Sequence, residues 1–61
     1  MGVAMGRVAV VTGAAEGMGM GIAERLAADG HKVLALDVQA EKLDATAARI
    51  AAAGGTVLPL P

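Results

Sequence analysis

The sequence predicts an α/β fold, a β-α-β-α-β unit with parallel strands, and three observations predict it. Two runs, Arg7-Val8-Ala9-Val10-Val11-Thr12 and Lys32-Val33-Leu34-Ala35-Leu36-Asp37, have the near-continuous hydrophobicity of strands buried in a parallel sheet. Each is followed by a stretch whose apolar residues recur at helical spacing. The first of these joins is a glycine-punctuated turn, Thr12-Gly13-Ala14-Ala15-Glu16-Gly17-Met18-Gly19, of the kind that lets a ligand phosphate touch the backbone at a helix start.

In chain order, a short leader precedes the first strand, which is expected to be the central one. From Met18 onward, Gly19, Ile22, Ala23, Leu26 and Ala27 share one helix face, and their small size allows close approach to the sheet. Glu24, Arg25 and Asp29 fall on the other side, as a solvated face. Gly30 stands where a left-handed C-terminal cap is wanted, and His31 after it reads as a loop residue. The second strand ends on Asp37. A second helix, about Ala40 to Ala53, places Leu43, Ala47, Ile50 and Ala51 on its apolar face, and Gly54-Gly55 ends it. Thr56-Val57-Leu58-Pro59-Leu60 reads as a third strand, with Pro59 tolerable only near a sheet edge or where its nitrogen faces no partner. Right-handed crossovers put both helices on one face of the sheet and leave the other face bare.

The turn has the spacing Thr-Gly-x-x-x-Gly-x-Gly, which departs from the Gly-x-Gly-x-x-Gly of the common dinucleotide fingerprint. With Val8-Ala9-Val10-Val11 before it and Leu34-Ala35-Leu36-Asp37 after it, the chain resembles the short-chain dehydrogenase/reductase family from Arg7 to about Leu60. The resemblance implies that these residues are the opening half of a Rossmann-type doubly wound parallel sheet. On that basis residues 1–61 are expected to be part of a dinucleotide-binding domain that begins a longer single-domain protein. It also implies roles. Gly13 permits approach of the adenosine half, Glu16 and Gly17 border the phosphates, the Met18 N–H faces the diphosphate, and Gly19 gives room for the helix to pack on the strand. Ala15 and Val38 complete the implied cofactor-binding set. Met18 stands where the family usually has Ile or Leu.

Asp37 closes the second strand eighteen positions beyond Gly19, where the dinucleotide pattern has an acidic residue that accepts hydrogen bonds from the adenosine ribose. Its alternative role is a helix N-cap, disfavoured because Val38 and Gln39 separate it from the second helix. A carboxylate here repels a 2′-phosphate, so NAD is expected over NADP. Family members that take NADP tend to carry a basic residue in the glycine loop or just after this strand. Here those places hold Glu16 and Val38.

Composition removes other functions. Sixty-one residues form at most one small domain, and the net charge of −1 leaves no basic stripe for nucleic acid or anionic lipid. No apolar run approaches the roughly 20 residues of a membrane span, and Met1-Gly2 with Gly6 lacks the Ser or Thr of a myristoylation signal. Without cysteine there is neither a disulfide framework nor a thiolate metal site, and no metal ligands are assigned; a cytoplasmic setting is expected. The loop holds no lysine, which excludes a P-loop.

The family reaction, by resemblance, is hydride transfer between the cofactor and an alcohol or ketone. It uses a tyrosine as acid/base, a lysine four positions after it and a serine that orients the substrate, in a protein expected to form a homo-oligomer. The chain has no Ser, Asn, Cys, Tyr, Phe or Trp, so no catalytic residue is assigned within it. Lys32 and Lys42 lie on the wrong segments for the catalytic lysine. Two readings compete with an oxidoreductase segment. One is a non-enzymatic nucleotide-binding module, separated by whether a Tyr-x-x-x-Lys follows. The other is a structural or self-associating fragment with an empty loop, separated by cofactor titration.

Overall fold

A computed structural model describes residues 2–5 and 7–61. Met1 and Gly6, on which the lipidation reading turned, lie outside the described residues. The elements are β1 (Gly2–Met5), β2 (Val8–Thr12), α1 (Gly17–Ala28), β3 (Lys32–Leu36), α2 (Ala40–Ala52) and β4 (Thr56–Leu60), in a sheet of order β1-β2-β3-β4. The three strands β2, β3 and β4 are parallel, in the register Val10↔Leu34↔Leu58. This is the expected β-α-β-α-β unit with one addition. The leader is itself a strand, paired antiparallel to β2 from Gly2↔Val11 to Met5↔Val8. A hairpin return of this kind closes the free edge of β2 through backbone bonds alone, which no side-chain pattern in the leader announces.

Both helices lie on one face. The inward residues of β2 and β3, Ala9, Val11, Val33 and Ala35, are buried beneath Ala23 of α1 and Leu43 and Ile50 of α2. Ile22, Leu26 and Ala27 flank this core as expected. On α2 the expectation is corrected at two positions: Thr46 is buried and Ala51 is exposed. Thr46 tolerates burial because its hydroxyl donates to the Lys42 carbonyl one turn back, at 3.3 Å. Glu24 also departs from a purely solvated role, since its Oε1 lies 2.9 Å from Arg49 Nε and ties the two helices together.

Both helices end in the same way. After α1 the N–H of Gly30 donates to Ala27 and that of His31 to Leu26; after α2 the N–H of Gly54 donates to Ala51 and that of Gly55 to Ile50. These are paired Schellman closures, each with its glycine at positive φ. Each reverses the chain sharply enough for the next strand to begin two residues later. Pro59 sits on β4, the outermost parallel strand, where a missing N–H leaves no gap between strands.

The opposite sheet face has no helix. Val8 and Val10 are 50% and 38% exposed, and Leu58 and Leu60 are 57% and 40% exposed. Apolar rows of this kind, on a parallel sheet that normally has both faces covered, favour association. The 61 residues expressed alone are expected to self-associate or to lack a cooperative thermal transition. Sedimentation and circular dichroism check this, and a monomer with a sharp transition would show the exposed rows to be harmless.

Candidate cofactor site

The carboxyl ends of β2, β3 and β4 bring Thr12, Leu36 and Leu60 to one edge, and the chain turns there into the glycine loop and the Asp37 turn. Between them runs a crevice of about 430 Å³ lined by Thr12, Gly13, Leu36, Asp37, Val38, Leu60 and Pro61. Its size falls within the range of roughly 300–1,000 Å³ common to small-ligand sites, and its place outside the strand ends is where open α/β sheets bind ligands.

Backbone bonds fix the loop. The Ala14 N–H donates to the Leu36 carbonyl at 3.1 Å, and the Asp37 N–H to the Leu60 carbonyl at 3.3 Å. Ala14 and Ala15 are buried in the core, so the loop is anchored by its small side chains, while Gly13, Glu16 and Gly17 are exposed. Gly13 and Gly17 have φ of +66° and +61°, and a Cβ at either would meet nothing within 4 Å, so the space above both is open to a ligand.

Gly19 is constrained differently. A Cβ there would collide with the Gly13 carbonyl oxygen and lie 2.6 Å from its carbon. The close approach that requires glycine is thus between the first helical turn and the loop itself, not between helix and strand as the family resemblance suggested.

The start of α1 supplies donors. Glu16 precedes the helix with an extended backbone and makes no side-chain cap bond. The first helical N–H with an acceptor in the preceding backbone is that of Met20, which donates to Glu16 at 3.5 Å. The N–H groups of Gly17, Met18 and Gly19 therefore stand at the positive end of the helix, as helix-opening amides do. The Met18 side chain is 82% exposed and takes no part in the core.

Asp37, directly after β3, is bonded to the loop that precedes these donors. Its Oδ1 accepts from the Gln39 N–H at 2.9 Å and its Oδ2 from the Ala15 N–H at 3.1 Å. These bonds add a role to the ribose contact expected of Asp37, and they differ from the helix N-cap weighed against it. Asp37 does not cap α2, whose N-cap is Gln39, yet it holds the turn before the helix and pins the glycine loop to it. The Gln39 bond, then the Ala15 bond, keep the Asp37 carboxyl below its ordinary value, so it is ionised near neutrality. Val38 beside it is 93% exposed at the crevice wall.

A larger groove, about 480 Å³, lies at the other ends of the helices, lined by Glu24, Ala27, Arg49, Ile50, Gly54 and Gly55 among others. It is framed by helix C-termini, whose carbonyls repel an anion. The smaller crevice is the one that adjoins the glycine loop and Asp37. Among the described residues no cluster of His, Cys, Asp and Glu is arranged to hold a metal ion, and no helix is long and apolar enough to cross a membrane.

Comparison with known proteins agrees with this geometry. A short chain dehydrogenase family profile matches residues 7–61. The chain belongs to the short-chain dehydrogenase family. Among curated members, it is 56% identical over 43 residues to 2-(R)-hydroxypropyl-CoM dehydrogenase of Xanthobacter autotrophicus, covering 70% of this chain and 17% of that one. It is 43% identical over 53 residues to the 2,5-dichloro-2,5-cyclohexadiene-1,4-diol dehydrogenase LinX of Sphingobium indicum, covering 87% and 21%. A metagenomic short-chain oxidoreductase solved in complex with NADP superposes with a TM-score of 0.81 at 41% identity, over 84% of this chain and 23% of that one. The chain thus spans about a fifth of the length of these short-chain dehydrogenases.

Proposed function

We propose that the chain is the cofactor-binding segment of an oxidoreductase that moves hydride between NAD and an alcohol or carbonyl carbon. The observation that carries the reading is that the amides of Gly17, Met18 and Gly19 open α1 with no acceptor in the preceding backbone, directly after a glycine loop that the Ala15 N–H ties to the Asp37 carboxylate. The amides suit a diphosphate, and Asp37 suits ribose hydroxyls. Gly13 and Gly17 leave room for backbone contact, Ala15 and Glu16 form the rim of the loop, and Val38 offers an apolar wall to the adenine. The open space at the two glycines and the unpaired amides fit the group.

Bound nicotinamide supplies a hydride acceptor or donor. These 61 residues bind and orient it; with no Ser or Tyr they supply no acid/base group of the family type. The relatives' names, a hydroxypropyl and a diol dehydrogenase, support an alcohol carbon as the reacting centre.

NAD is proposed over NADP because Glu16 and Asp37 both present carboxylates where the second cofactor carries its additional phosphate. The solved neighbour holds NADP, so the preference for NAD rests on Glu16 and Asp37 and not on the likeness of fold. Titration of the full chain with both cofactors at one ionic strength tests the proposal, because salt screens the phosphate contribution. NAD is expected to bind at least about tenfold tighter, and tighter NADP binding would overturn the preference. The 61 residues alone, given NAD and secondary alcohols, are expected to show no turnover that follows peptide concentration through repurification.

A further inference from the structure

Glu16 and Lys42, twenty-six residues apart, meet beside the Asp37 turn: Lys42 Nζ donates to Glu16 Oε2 at 2.9 Å. Gln39 Nε2 donates to the other oxygen, Oε1, at 3.1 Å. Glu16 therefore joins the glycine loop to the first turn of α2 by the same two segments that Asp37 joins from within. Asp37 holds Ala15 and Gln39; Glu16, the next residue of the loop, holds Gln39 and Lys42. The two carboxylates are close enough for the Asp37 charge to oppose ionisation of Glu16, though the bonds from Lys42 and Gln39 outweigh it.

The lysine and the glutamate are 57% and 59% exposed, so water competes with their ion pair and it opens readily. Lys42 carries a compact charge on a flexible stem, which allows it to exchange one anionic partner for another. Its anchor point on the opening turn of α2 adds the positive end of that helix beside the same pair.

We propose that Lys42 is a latent ligand for a phosphate on the adenosine ribose and that Glu16 withholds it, making the pair a specificity-determining device for the cofactor. The proposal rests on the NAD-binding reading. With Glu16 in place the ammonium is engaged, and a ribose 2′-phosphate meets two carboxylates. With Glu16 neutralised, Lys42 is released beside the turn that Asp37 holds, and the same phosphate gains a cation. Position 42 then contributes to selection without being a contact of NAD itself.

The test is a double-mutant cycle on cofactor affinity in the full chain, with NAD and NADP as probes: Glu16→Gln, Lys42→Met, and the two combined. Glu16→Gln is expected to raise NADP affinity relative to NAD by at least about fivefold, and Lys42→Met in that background to cancel most of the gain. Glu16→Gln with Lys42→Arg retains the charge and is expected to keep it. Raising the salt concentration is expected to shrink the gain. An equal gain with and without Lys42 would overturn the proposal, leaving only the loss of a repelling carboxylate. That failure is distinct from failure of the NAD reading, which would appear as a cofactor ratio indifferent to Asp37.

Discussion

Gly19→Ala is expected to destabilise the full chain by about 3 kcal/mol or more, at the upper end of the cost of forcing a methyl into a filled interior. The neighbours are backbone atoms, the Gly13 carbonyl and the Ala14 nitrogen, which cannot rotate aside as a side chain would. Relief requires moving the glycine loop away from α1, and that motion misplaces the helix-start amides as well. For a domain of 150–250 residues, the predicted loss corresponds to a fall in Tm of roughly 6–12 °C, read by thermal melts without cofactor. Gly17→Ala provides the contrast. Its Cβ meets nothing, so the cost is a positive φ of +61° on a non-glycine residue, about 1–2 kcal/mol, and the methyl enters the open space above the loop. Gly19→Ala should therefore act on stability first and Gly17→Ala on cofactor affinity first. Equal melting temperatures for Gly19→Ala and the parent would mean that the loop and helix can separate freely, contrary to the packing described.

Asp37→Ala is expected to shift the ratio of NADP to NAD affinity by at least about tenfold towards NADP. The individual constants mix two effects, because the carboxylate also accepts from Ala15 and Gln39. Losing those bonds loosens the loop and weakens both cofactors together; losing the charge acts on the ratio alone. A drop in both affinities at constant ratio would leave Asp37 as a structural clamp and remove the main support for NAD. Lysine or arginine at Val38 should extend the shift, since that exposed position borders the same crevice.

The clamp also carries a pH dependence. The Asp37 carboxyl is held below its ordinary value, so its contribution to stability is present above the unfolded-state value and is lost as pH falls through the lower folded-state value. The window lies below about pH 4. Asp37→Asn should flatten the acid limb of stability there and leave the profile near neutrality unchanged in slope.

The sequence by itself determined what depends on neighbours along the chain. Two apolar runs, two helical periodicities and the glycines at 30 and 54 specify strands, helices and their closures through local spacing and backbone preference. The spacing of Gly13, Gly17 and Gly19, with an acid at 37, specified the family, because a phosphate turn permits few residue types. Only the tertiary structure decided what depends on how two β-α units stack. It returned Gly2–Met5 as a strand on β2, put Thr46 rather than Ala51 in the core, and set Gly19 against the Gly13 carbonyl. It also gave Asp37 two backbone partners and joined Glu16 to Lys42. The bonds that reach across the two units, Ala15 to Asp37 and Lys42 to Glu16, span 22 and 26 residues, distances over which periodicity carries no information about which atoms meet.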